Sequence, residues 1–103
     1  MNKQEFIFQF PMSGETITRQ MNLLAVKDAT INYLRKQSEV RGNICMVFNG
    51  KEELVAMAYI NERMKVSFFT EDSTICDIKE IGEITEEDIN GITNFANRKE
   101  AAL

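Results

Sequence analysis

Asn43-Ile44-Cys45-Met46-Val47-Phe48-Asn49-Gly50-Lys51-Glu52-Glu53-Leu54-Val55-Ala56-Met57-Ala58-Tyr59-Ile60 decides the fold. Two apolar runs flank an Asn-Gly pair, the strongest short-range hairpin signal a sequence can carry. Residues 43–49 and 53–60 are therefore predicted as adjacent antiparallel strands. Alternation puts Ile44, Met46, Phe48, Val55, Met57 and Tyr59 on one face. Cys45, Val47, Leu54, Ala56, Ala58 and Ile60 take the other. Both faces are apolar, which a sheet with one wet face does not show. Ala56 and Ala58 suit the close approach of a helix, so the face with the larger side chains needs its own cover. Either two helices take one face each, or both helices share a face. In the second case Met46, Phe48, Val55, Met57 and Tyr59 meet a partner or a second copy, and the chain is a homo-oligomer. Methionine and tyrosine serve contact surfaces, and methionine also fills irregular cores.

Working outward, Lys65–Thr70 follows Asn61-Glu62-Arg63 as a third meander strand. Upstream, Phe6, Phe8 and Phe10 alternate within Glu5–Phe10, and Pro11-Met12-Ser13-Gly14 reads as a turn into a return strand, Glu15–Arg19. Leu23–Ser38 carries Leu23, Val26, Tyr33 and Leu34 at helical spacing, with Leu24 and Ile31 beside them. Arg35 and Lys36 favour its C-terminal dipole, and Gly42 is expected to mark its stop. Thr74–Ile81 is a possible further strand. Thr85-Glu86-Glu87-Asp88 resembles a capping box, with Ile84 and Ile89 spaced as a hydrophobic staple. Ile89, Ile92, Phe95 and Ala96 continue that last helix as an apolar stripe. The expected order is β-β-α-β-β-β-(β)-α, an α+β domain with an antiparallel sheet of about five strands and two helices.

One domain is expected across residues 1–103, since folded units run to roughly 100–200 residues and neither linker nor repeat interrupts this chain. With 44% hydrophobic and 27% charged residues the composition is that of a folded chain, not a disordered one. No apolar run approaches the roughly 18 residues of a membrane span, and the N-terminus lacks a signal-peptide pattern. The expected location is the cytoplasm, where Cys45 and Cys76 stay reduced.

The chemistry is sparse. There is no histidine, so the usual general base, the Ser-His and Cys-His pairs and the commonest transition-metal ligand are missing. The two cysteines have no zinc-site spacing, and no Gly-rich phosphate loop occurs. Glu71, Asp72 and Asp77 do not follow an EF-hand pattern and read as a solvated acidic loop. Neither a catalytic residue, a cofactor nor a metal is expected.

Charge is segregated. From Glu71 to Asp88 there are eight acids (Glu71, Asp72, Asp77, Glu80, Glu83, Glu86, Glu87, Asp88) and one base (Lys79), a net −7. The remainder has eleven bases and eight acids, a net +3, which together give the −4 of the whole chain. Glu86, Glu87 and Asp88 have an ordinary reason to sit in a helix's first turn. Glu71, Asp72, Asp77, Glu80, Glu83 and Glu87 together form a candidate ridge for a basic surface on another protein, such as a nucleic-acid groove. Direct nucleic-acid binding is disfavoured by a sequence pI near 4.9.

The segment Leu54-Val55-Ala56-Met57-Ala58-Tyr59-Ile60-Asn61-Glu62 resembles part of the staphylococcal uracil-DNA glycosylase inhibitors, a DNA-mimic family. The likeness covers under a tenth of the chain and brings with it none of that family's functional residues.

Two functional expectations stand side by side. One is a small non-catalytic protein-interaction module, an inhibitor or adaptor of the mobile-element type aimed at a nucleic-acid-handling protein. The other is an oligomeric binder of a small anionic or nucleotide-like ligand, using Arg19, Arg41, Arg63 or Lys65.

Overall fold

Alternating phenylalanines make the first strand. Phe6, Phe8 and Phe10 are buried on one face of β1 (Gln4–Phe10). The turn after it closes because Gly14 reaches φ +78°, where a Cβ is disfavoured, and its N–H donates to the Phe10 carbonyl at 2.8 Å. The chain returns as β2 (Glu15–Met21). A single 3₁₀ turn (Leu23–Ala25) begins the helical stretch, its entry fixed by Asn22, whose side chain accepts from the Leu24 N–H at 3.0 Å. Helix α1 (Val26–Gln37) follows, then β3 (Ile44–Asn49), β4 (Leu54–Ile60) and β5 (Val66–Thr70). These elements come from a computed structural model that describes residues 3–70, with Thr93 and Asn97, two exposed positions of helical backbone. The further strand over 74–81 and the capped helix from Thr85 lie outside the described residues.

The five strands form one antiparallel sheet in the order β2-β1-β3-β4-β5, so the fold is α+β. Because β1 pairs antiparallel with both β2 and β3, those two run parallel, and α1 is the crossover between them. The helix lies over one face. Val26, Thr30 and Leu34, spaced by four, are its buried line. Val26 and Leu34 join Phe6, Phe8, Phe10, Cys45, Val47, Ala56, Ala58, Ile60 and Phe68 in the main core. Burying each large apolar side chain contributes about 1.5–3 kcal/mol. Thr30 can be buried because its hydroxyl donates to the Val26 carbonyl at 2.7 Å. Leu24, expected beside the core, is 70% exposed, since the 3₁₀ turn rotates it off the α-helical stripe.

Three local readings are corrected. The helix ends at Ser38 in extended backbone, with its N–H on the Leu34 carbonyl, so Gly42 is no helix stop. Gly42, at φ +84°, turns the chain into β3 instead. The β3–β4 hairpin exists, but Asn49-Gly50 is not its two-residue tip. The left-handed residue is Glu52, at φ 63°, and the Asn49 side chain organises the loop by accepting from the Lys51 and Glu53 N–H groups at 2.9 and 3.0 Å. The β4–β5 loop repeats this device. Asn61 accepts from Arg63 and Lys65 at 2.9 and 3.1 Å, and Met64 sits at φ 61°. Third, the register slips between Val47 and Phe48, which pair with Ala56 and Leu54. That bulge exchanges two side chains: Leu54 packs with Met57 and Phe69 on the face away from α1, and Val55 against the helix-side core.

Candidate functional site

The face away from α1 brings most of the predicted apolar residues together. Met57 lies at its centre with Leu54 and Phe69, and Ile44, Met46, Phe48 and Tyr59 pack around them. The rings of Tyr59 and Phe69 stack with centroids 5.6 Å apart. Of the five side chains singled out for this face, Met46, Phe48, Met57 and Tyr59 are there; Val55 is not, because of the bulge. Leu54 and Phe69 take part unforeseen. Alternation along β5 could have found Phe69, whereas nothing in two apolar neighbours reveals that Leu54 and not Val55 points this way.

The cationic side chains fall at both ends of the sheet. Gly42 donates its N–H to the Ile60 carbonyl at 2.8 Å, and Ile60 donates to the Asn43 carbonyl at 2.9 Å. The loop carrying Arg41 is thereby fastened beside the turn carrying Arg63 and Lys65, all three exposed. Arg19 belongs to the other end: it pairs with Phe6, and Phe6 with Asn49 in the β3–β4 hairpin. A shallow depression there is lined by Gln4, Glu5, Asn49, Lys51 and Glu53, acid and base side by side.

Cys45 is fully buried in the helix-side core, and loss of hydration pushes its thiol up to about 12. The nucleophilic thiolate is thus suppressed at neutral pH. Among the described residues, no three His, Cys, Asp or Glu side chains converge to hold a metal ion. None of their helices is long and apolar enough to cross a membrane. The six acids of the candidate ridge, Glu71, Asp72, Asp77, Glu80, Glu83 and Glu87, lie outside the described residues.

The stretch resembling the DNA-mimic inhibitors is β4 and the start of its turn, and five of the seven strand residues are buried. Its likeness is one of core side chains, not of an exposed surface. No protein family, curated protein or solved structure matches the chain.

Proposed function

We propose that this chain is a small non-catalytic interaction module that docks its acidic segment, residues 71–88, on a basic surface of another protein. The observation that carries the reading is the charge segregation, −7 over that segment against +3 over the rest. Segregated charge accelerates encounter and selects partners of opposite potential. The natural recipient is a protein that handles nucleic acid, whose groove is built to hold a polyanion. An inhibitor or adaptor of the kind mobile elements encode, working in the cytoplasm, would have this size and charge.

The test is capture from the source cell's lysate with the wild-type chain and with Glu80→Lys/Glu83→Lys. A partner held at 0.1 M salt, released at 1 M and lost by the double reversal supports the reading. The Debye length shrinks from about 10 Å to about 3 Å over that range. A partner indifferent to both salt and reversal overturns it.

A second reading has one observation in its favour, the fastening of Arg41 beside Arg63 and Lys65. A small anionic or nucleotide-like ligand bound there by an oligomer would raise the unfolding midpoint, by RT ln(1 + [L]/Kd) in free energy. Arg41→Glu would abolish that rise, and a nucleotide panel that shifts nothing removes this alternative.

A further inference from the structure

Something other than α1 covers the second face of the sheet. Leu54, Met57 and Phe69 are only 5%, 1% and 6% exposed within the single chain, although α1 packs on the opposite face. Phe69 is the telling residue. It lies on β5, whose one neighbour among the described strands is β4, where a ring on an open face would keep much of its surface in water. Burial is also graded across this face. It is deepest on β4 and β5, partial at Ile44, Met46 and Phe48 of β3 and at Ile7 and Gln9 of β1, and lost at Thr16, Thr18 and Gln20 of β2. The cover therefore sits over the side of the sheet from which the chain departs at Thr70.

Thirty-three residues follow Thr70, numbers 71–103. Among them Ile89, Ile92, Phe95 and Ala96 form one stripe at helical spacing. Thr93 and Asn97 are helical and exposed; at about 100° per residue Thr93 borders that stripe, about 40° from Ile89, and Asn97 lies about 130° from its centre. We propose that residues 85–97 form an amphipathic helix whose Ile89, Ile92 and Phe95 lie on the Met57–Phe69 face. The dimensions agree. Thirteen helical residues run about 20 Å, close to the roughly 23 Å of a seven-residue strand such as β4. The intervening residues 71–84 can span up to about 46 Å, more than enough to reverse direction. This inference is independent of the acidic-segment reading. It makes Met46, Phe48, Met57 and Tyr59 parts of a second core layer and leaves residues 71–84 as the connection across the sheet's end.

Cross-linking in the full chain tests it. In a Cys76→Ser background, Phe95→Cys is combined in turn with Met46→Cys, Tyr59→Cys or Phe69→Cys and treated with a short bis-maleimide. Cys45, buried on the other face, remains a spectator. The expected result is an intrachain bridge in at least one pair, formed at least tenfold more efficiently than when Asn97→Cys replaces Phe95→Cys. Bridges between chains would mean that a second copy covers the face. That outcome, equal yields from positions 95 and 97, or no intrachain bridge in any pair, overturns the proposal.

Discussion

Moving one glycine two positions along the β3–β4 loop should stabilise the protein. Glu52 holds the left-handed conformation at φ 63°, whereas Gly50 is not among the glycines at positive φ. A left-handed backbone costs a residue with a Cβ about 1–2 kcal/mol. Glycine there removes that cost but returns freedom to the unfolded chain worth about 0.4–1 kcal/mol, so Glu52→Gly should gain about 0.5–1 kcal/mol. Gly50→Ala works through the unfolded state alone. Its new Cβ would meet the Glu5 Cβ at 3.9 Å, an ordinary contact. The same entropy term makes it neutral to stabilising, by up to about 1 kcal/mol. The double variant should gain about 0.5–2 kcal/mol. Denaturant titration with a shared slope measures the shift in midpoint. Met64→Gly offers a replicate at φ 61° in the sister loop, again worth about 0.5–1 kcal/mol. If Gly50→Ala instead destabilises by more than about 1 kcal/mol and Glu52→Gly gains nothing, the loop is a two-residue Asn-Gly turn after all and the geometry described above is wrong.

Three other outcomes are expected. Asn61→Ala should cost about 2–4 kcal/mol by leaving the Arg63 and Lys65 N–H groups without their acceptor, while Asn61→Asp, which keeps the acceptor and loses only the 3.1 Å donation to the Ser67 hydroxyl, should cost under about 1 kcal/mol; equal losses on denaturation would refute the acceptor role. Because burial holds the Cys45 thiol protonated to about pH 12 while the unfolded thiol ionises near 9, its contribution is complete below pH 9 and declines as pH rises toward 12. Above pH 9 the wild type should therefore lose stability faster than Cys45→Ala by up to about 1.4 kcal/mol per pH unit, and parallel pH profiles would refute this. Phe8→Ala should cost about 3–5 kcal/mol, since it empties the core centre and removes the edge-on contact with Tyr33 at 5.1 Å; a loss under about 1 kcal/mol in thermal unfolding would contradict the packing.

Periodicity made most of the sheet legible. The phenylalanines of β1, the span of α1 and the three meander strands follow from side-chain spacing, because burial on one face imposes that spacing directly. Loop chemistry misled where one residue type has two uses. Asn-Gly favours a two-residue turn, but the Asn49 side chain can also bind the N–H groups two and four positions on, and that arrangement prevails here. The bulge at Leu54 and Val55 left no trace because both residues are apolar, so exchanging their faces changes no pattern. The burial of Thr30 leaves no mark in the sequence, because it depends on a bond to its own helix, which composition does not announce. As for the candidate site, holding the loop of Arg41 beside the turn of Arg63 and Lys65 needs a hydrogen bond between segments eighteen positions apart, Gly42 to Ile60, and no local rule supplies it.

The strand order carries a consequence for synthesis. β1 and β2 emerge from the ribosome before the other described strands and can pair at once, yet Phe6, Phe8 and Phe10 then face water. Their cover, α1, comes next, and the neighbour that completes the ladder on the other side of β1 arrives only when Asn49 pairs with Phe6 and Met46 with Gln9. The meander from β3 to β5 is by contrast made of near neighbours and can form within itself. Among the described strands the β1–β3 seam is then the pairing of longest range, Phe6 with Asn49, and topology makes it the one expected to close last. Until the seam closes, a nascent chain presents three phenylalanines on an unfinished edge, the kind of surface that chaperones and proteases engage.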